Sequence, residues 1–123
     1  MYLLDSNILI YYLEGRKEVR DFVKMQKSSR ASIPVISVTE LLAKADLTKK
    51  QLTFLQSFLD NFSIVSFDMR AAQEAARFKR TYKLLFPDAV LAGTAHLLKL
   101  PLVTRDKHFA KIRELKIIDP FSI

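Results

Sequence analysis

Cysteine is absent from this chain, and histidine and glycine are scarce, at two residues each. Without cysteine there can be no disulfide, no thiolate metal site and no thiol nucleophile. His96 and His108 are the whole imidazole inventory, so any bound metal must be held mainly by oxygen. The shortage of glycine, with no internal repeat and no Pro- or Ser-rich spacer, argues against low complexity and disorder. No apolar run approaches the roughly 18 residues that a membrane span requires. The opening Met-Tyr-Leu-Leu meets Asp5 before an apolar core of signal length forms, and it carries no basic leader. The expectation is a soluble cytoplasmic protein with no membrane partner.

What is present is a chain of 123 residues, half of them apolar, which is enough for one core and too little for two. A single domain over residues 1–123 is therefore expected. Lys and Arg number 20 against 13 Asp and Glu, a net charge of +7. Solubility alone could account for the excess of Lys. It would also suit a metalloenzyme acting on a polyanion, with a basic surface to hold phosphates and an acidic pocket to hold the metal.

Strand and helix signals alternate along the chain. Tyr2 to Leu4 reads as a short strand and Ser6 to Leu13 as a helix broken at Glu14-Gly15. Lys17 to Lys27 reads as a second helix with Val19, Phe22, Val23 and Gln26 on one face, ended by Ser28-Ser29-Arg30. Ile33 to Ile36 suggests a strand, and Ser37-Val38-Thr39-Glu40 a capping box opening a helix through Ala45. Thr48 and Gln51 form a second such box. The helix they open carries Leu52, Phe54, Leu55, Phe58, Leu59 and Phe62, more apolar circumference than one core-facing stripe needs. That excess suits a surface for a partner, the alternative being that these residues fill the core against neighbouring helices.

Ser63 to Phe67 alternates as a strand, and Asp68 caps a helix with Ala71, Ala75, Phe78, Tyr82 and Leu85 at helical spacing. Pro87 opens another helix bearing Asp88, Leu91, Ala92, Ala95 and Leu98. Leu100 to Val103 gives a strand, His108 to Leu115 a helix, and Lys116 to Ile118 a last edge strand. This order indicates an α/β sandwich with a mostly parallel sheet and right-handed crossovers.

Four acids stand where such a sheet would end a strand or begin a helix: Asp5, Glu40, Asp88 and Asp106. Ligands of open α/β sheets bind at the strand C-termini, so their carboxylates would converge on one edge. Each also has a purely structural role open to it. Asp5 and Asp106 can cap helices, Glu40 can close the box with Ser37, and Asp88 can favour a helix N-terminus by about 0.3 to 1 kcal/mol. The four taken together are harder to explain that way than any one alone.

Asp5-Ser6-Asn7, the helix-opening Glu40, Pro87-Asp88-Ala89 with its small-residue helix, and Leu102-Val103-Thr104-Arg105-Asp106 resemble the PIN domain, in particular the VapC-type toxins of toxin–antitoxin pairs. The resemblance covers essentially the whole chain, with the acids in family order. It implies a PIN-like three-layer α/β/α sandwich and a divalent-metal-dependent endoribonuclease. Asp5, Glu40, Asp88 and Asp106 would form the acidic pocket, with Thr104 beside it as a hydroxyl ligand or orienter. Asp5, Asp88 and Asp106 would hold Mg²⁺ or Mn²⁺, and Glu40 would bind a second ion or orient the water. Ser6 stands where Thr is frequent, and Gly93 where Ala is usual in that helix.

The partners implied are an RNA substrate, transfer or ribosomal RNA by analogy, a cognate antitoxin, and a second copy in a homodimer. Arg105, Lys107 and Lys111 beside Asp106, and Arg77, Arg80 and Lys83 near Asp88, are candidate phosphate contacts. His108 reads as an exposed helical residue. The alternatives are a structure-specific DNA nuclease, a degenerate domain that binds RNA or protein without cutting, and a receiver-type phosphoacceptor. The last lacks both the early acidic pair and the Lys it requires.

Overall fold

Tyr2, Leu3 and Leu4 are all buried, and their side chains alternate between two apolar clusters. Tyr2 and Leu4 join one cluster and Leu3 the other. A strand covered on both faces belongs in the middle of a sheet, and β1 (Tyr2–Leu4) occupies that place. The computed structural model describes residues 1–26, 31–44 and 46–122. The sheet runs β3-β2-β1-β4-β5, with β2 at Ala31–Pro34, β3 at Ser63–Val65, β4 at Leu102–Val103 and β5 at Ile117–Ile118. Every pairing is parallel, in registers that include Tyr2↔Ala31, Ser32↔Ser63, Leu3↔Leu102 and Leu102↔Ile117.

Helices cover both faces. Four pack on the side of Tyr2 and Leu4: α1 (Ser6–Leu13), α2 (Lys17–Gln26), α3 (Val35–Leu42) and α4 (Lys49–Leu59). The other face carries α5 (Met69–Tyr82) and α6 (Phe86–Leu98), with Phe78, Ala92, Phe109 and Ile112 in its core. The expected three-layer α/β/α sandwich is what the chain forms, and its sheet is parallel throughout. Among the described residues no helix is long and apolar enough to cross a membrane.

Local chemistry explains most boundaries. Thr48 and Gln51 make both bonds of the expected capping box, at 3.1 and 2.9 Å. Asp68 accepts from the Ala71 amide at 2.9 Å and starts α5. Val19, Phe22 and Val23 are buried on α2 as its pattern predicts. Helix α1 ends in a Schellman arrangement, with Gly15 at φ +81°, its amide on the Tyr12 carbonyl and the Arg16 amide on the Tyr11 carbonyl. Glycine adopts that left-handed backbone without steric cost.

Other boundaries depart from the sequence reading. Strand β2 lies at Ala31–Pro34 rather than 33–36, because Pro34 turns the chain and serves as N-cap of α3. Ser37 is therefore inside α3 and the Ser37–Glu40 capping box does not form; Pro34 makes no side-chain cap bond. Helix α4 stops at Leu59, which leaves Phe62 in the following turn. Strand β3 is shorter than the expected 63–67 and β4 shorter than 100–103. Lys83 takes a left-handed conformation that ends α5, so Leu85 lies beyond it and is 74% exposed. The expected helix from His108 to Leu115 is a 3-10 turn over Lys107–Lys111, ended by extended backbone at Ile112. The expected helix end at Lys27 to Arg30 and the extension to Ala45 lie outside the described residues, as does the side chain of Gln26.

Helices α5 and α6 make the most extensive contact between elements, and Gly93 is at its tightest point. A Cβ there would stand 2.7 Å from the Ala75 nitrogen and 2.9 Å from the Ala75 Cα. Close to this crossing, Arg77 bonds Glu74 at 2.7 Å and Glu114 at 2.8 Å. Tyr82 also donates to Glu114, and His96 lies 2.6 Å from Glu74. Chiefly through its bonds from Arg77 and Tyr82, the Glu114 carboxyl is held down to about 2. The network ties the segment after the 3-10 turn to α5.

Candidate active site

From β1 the chain moves outward through β2 and β3, then returns to the other side of β1 for β4 and β5. The order reverses between β1 and β4, and a crevice opens beyond the C-terminal ends of such strands. Asp5 follows β1 and Thr104 follows β4, so both stand at this crevice. The Asp5 amide donates to the Val103 carbonyl at 3.1 Å, which continues the sheet pairing up to the acid.

Asp5 is 9% exposed. It caps α1 by accepting from the Asn7 amide at 3.4 Å, and its second oxygen accepts from the Thr104 hydroxyl at 2.8 Å. Thr104 is buried, and its oxygen in turn accepts from the Asp106 amide at 3.0 Å. A hydroxyl can donate once and accept at the same time, so Thr104 links the loops after β1 and β4. Asp106 caps the 3-10 turn through the His108 amide at 2.9 Å, and the His108 Nδ1 lies 2.8 Å from the same carboxyl. The capping roles of Asp5 and Asp106 are thus real and coexist with their position at the crevice.

Asp88 occupies the first turn of α6 after Pro87. Glu40 is exposed on α3. Electrostatics tie them to the other two. Burial raises the Asp5 carboxyl above its ordinary value, the Thr104 and Asn7 bonds oppose this, and the Asp106 charge adds to it. Loss of surrounding water raises Glu40, helped by the charges of Asp5 and Asp88 and opposed by the Ser6 hydroxyl. Asp88 is raised by burial, then by Asp106 and Asp5, with His108 acting the other way. The four carboxyls therefore feel one another.

Among the described residues, no Lys or Arg lies within salt-bridge distance of any of the four acids, and only Asp106 has an imidazole beside it. Converging oxygen donors without a cationic partner suit a hard divalent ion. No three Asp, Glu or His side chains among the described residues stand close enough together to enclose an ion outright. Magnesium tolerates that arrangement, because it keeps several waters and takes only one or two carboxylates plus substrate phosphate.

Some contributors were not visible in the sequence. The His108–Asp106 pairing follows from the 3-10 turn, which replaced the expected helix. Ser6 reaches both Asp5 and Glu40, a contact that depends on α1 and α3 lying side by side. Arg77, expected on the approach to Asp88, is engaged by Glu74 and Glu114 beside His96. That is eight residues along α6 from Asp88, or about 12 Å.

A large apolar groove lies elsewhere. It is an open groove of about 840 Å³ lined by Leu13, Val23, Leu41, Phe54, Phe58 and Phe62 among others, and by none of the four acids. Phe58 stacks on Tyr12 at 5.6 Å and meets the Phe62 ring edge-on at 5.2 Å, while Phe54 is 59% exposed.

The chain matches the PIN domain family over residues 2–115. A search of curated protein sequences returns no match. Among solved structures, a toxin–antitoxin complex from Klebsiella pneumoniae contains a chain 29% identical, each chain covered in full, with a TM-score of 0.86. FitAcB from Neisseria gonorrhoeae is 24% identical over the whole of both chains with a TM-score of 0.85. DNA-bound VapBC from Salmonella typhimurium is 21% identical over 97% of each chain, also with a TM-score of 0.85. The last two likenesses are of fold alone.

Proposed function

This chain belongs to the PIN domain family, and from that premise we propose that it is a metal-dependent endoribonuclease, the toxin of a VapBC-type toxin–antitoxin pair. The observation that carries the reading is Asp5 at the point where the strand order reverses, bonded through Thr104 to the Asp106 amide, with Asp88 at the start of α6. Residues 1–123 act as a single PIN domain in the cytoplasm. Asp5, Asp88 and Asp106 hold Mg²⁺ or Mn²⁺, directly or through water. Such an ion would make a water more acidic and would shield charge on the phosphate.

The chain's own residues do the rest. Thr104 fixes Asp5 through its donated bond and fixes the Asp106 backbone through its accepted one, so two of the ligands share one anchor. His108 holds the Asp106 carboxyl in one orientation. Glu40, exposed on α3, orients the attacking water and takes its proton as the water oxygen bonds to phosphorus and the P–O bond to the leaving ribose oxygen breaks, that oxygen taking a proton from solvent. The net basic surface recruits the polyanion.

The antitoxin occupies the groove between Leu13, Val23, Phe54 and Phe58. A groove of this size, apolar and rimmed by exposed aromatic surface, suits an amphipathic helix or an extended apolar segment. The exposed Phe67, Met69, Leu85 and Phe86 supply a second face, on which two copies of the toxin pair.

The test is cleavage of structured RNA by antitoxin-free protein with Mn²⁺, Mg²⁺ or EDTA, beside its Asp5→Asn variant. The reading expects metal-dependent cutting by the wild type alone. Equal cutting by both proteins, or cutting that survives EDTA, would overturn it.

A further inference from the structure

Two arginines distant in sequence converge on one aromatic pair beside the acidic crevice. The Tyr11 and Phe121 rings meet edge to face at 5.4 Å. The Arg16 guanidinium lies 4.9 Å from the Phe121 ring centre and 5.5 Å from that of Tyr11. Arg105 lies 4.1 Å from Phe121 and 6.0 Å from Tyr11. Neither arginine has a carboxylate within salt-bridge distance among the described residues.

Each part is built by local chemistry. The left-handed Gly15 turns the chain at the end of α1 and brings Arg16 back over Tyr11. Asp119 caps the last 3-10 turn, accepting from the Phe121 amide at 2.9 Å and the Ser122 hydroxyl at 3.2 Å, and this sets the Phe121 ring. Arg105 sits between Thr104 and Asp106, so its backbone is held by the same bonds that hold the acids.

Two like charges drawn to one platform repel each other, and an anion placed between them removes that cost. A guanidinium stacked by its face on a ring keeps its N–H edge free, and that fork matches phosphate in a bidentate way. Much of the side-chain entropy that phosphate binding would otherwise cost is already lost in the stacking. We propose that Arg16 and Arg105, held on Tyr11 and Phe121, clamp a backbone phosphate of the RNA next to the one that is cut, and so set the register of the strand across the acids. This rests on the nuclease reading above. An acidic peptide would satisfy the same charges, but the position of Arg105 between two residues of the crevice favours the nucleic acid.

The experiment measures binding of a single-stranded RNA oligonucleotide to Asp5→Asn protein by fluorescence anisotropy across a salt series. It uses Arg16→Ala, Arg105→Ala, both together, and Arg105→Lys. The double alanine variant should lower the slope of log affinity against log salt by about 0.7, the single-strand value for one phosphate contact, and each single alanine by part of that. Arg105→Lys should keep the slope while weakening binding, because it keeps the charge and loses the fork. In parallel, the same arginine changes in otherwise wild-type protein should raise KM for RNA more than they lower kcat.

Unchanged slopes in both single variants, with wild type still cutting, would overturn the clamp and leave the nuclease intact. Lost slopes in a protein that never cuts would support the clamp and reject hydrolysis. RNA that fails to bind even the Asp5→Asn protein would reject both. Variants that lose the antitoxin but bind RNA normally would assign the arginines to the acidic peptide and overturn the proposal. Circular dichroism checks folding, and Arg105→Lys guards against an alanine variant that fails to fold.

Discussion

Replacing Gly93 by alanine adds one methyl group at the point where α6 crosses α5, and two effects of opposite sign meet there. Alanine is the better helix former by about 1 kcal/mol, so on propensity alone the variant gains stability. Against this, the new Cβ would stand 2.7 Å from the Ala75 nitrogen, 2.9 Å from its Cα and 3.0 Å from the Glu74 carbonyl carbon. All three are backbone atoms, and no side-chain rotamer can move them aside. Overpacking costs about 1–3 kcal/mol, and a clash with backbone belongs at the upper end. The net expectation is a loss of about 1–2 kcal/mol, or about 3–8 °C in Tm for a domain of this size. Helix α6 must shift or tilt away from α5 to relieve the contact, and Asp88 rides on the same helix about 7 Å nearer its start. RNA cleavage should therefore fall by more than the small unfolded fraction explains. Urea and thermal unfolding of Gly93→Ala beside the wild type measure the first effect, and cleavage rate at a temperature where both are folded measures the second. A variant as stable as the wild type, or more so, would refute the close crossing.

Thr104→Val keeps the shape of a buried residue but leaves Asp5 without a donor and the Asp106 amide without an acceptor. It should cost about 1–3 kcal/mol and most of the activity; a fully stable, active variant would show that the hydroxyl anchors nothing. Asp88→Asn tests the repulsion among the acids. A carboxyl raised above its unfolded value contributes stability that is fully present below that unfolded value and is lost as pH rises through the folded one. In EDTA the variant should thus gain on the wild type as pH climbs above the ordinary aspartate value of about 4, while Mn²⁺ should raise the Tm of the wild type more. A stability difference that stays flat with pH would remove Asp88 from the cluster. Phe54→Glu, at a side chain 59% exposed, should leave the fold intact and abolish antitoxin binding in a pull-down with the purified pair; retained binding would move the interface off the groove.

The fold was largely legible because its signals are local and repeated. Tyr2 to Leu4 reads as a buried strand, and Thr48, Asp68 and Pro87 each mark a helix start with a physical cause. The misreadings cluster where one residue could serve either element. Ile33 to Ile36 is β-branched and reads as strand, but the ring of Pro34 fixes the turn into α3 and gives Val35 and Ile36 to the helix. Lys83 carries no sequence signal for a left-handed backbone, so Leu85 was assigned to the wrong helix.

The sequence proposed residues for the candidate site but not the bonds between them. The resemblance named Asp5, Glu40, Asp88, Asp106 and Thr104 together. The two bonds made by Thr104 depend on β1 and β4 being neighbours, and sequence spacing does not supply that. The structural alternative for Glu40, a capping box with Ser37, fell away only once β2 had shifted. Arg77 looked free beside other basic residues until Glu114 was brought to it from 37 positions away. The platform under Arg16 and Arg105 joins α1 to the last turn of the chain, and no periodicity announces it.

The most direct test of the account is the rate of RNA cleavage at saturating Mn²⁺ by four single variants, Asp5→Asn, Glu40→Gln, Asp88→Asn and Asp106→Asn, each shown by circular dichroism to be folded. One shared pocket predicts that every variant loses activity, by about a hundredfold or more as when a single preorganised charge-stabilising group is removed. Wild-type rates in Glu40→Gln and Asp88→Asn would contradict it and confine the chemistry to the Asp5–Thr104–Asp106 edge.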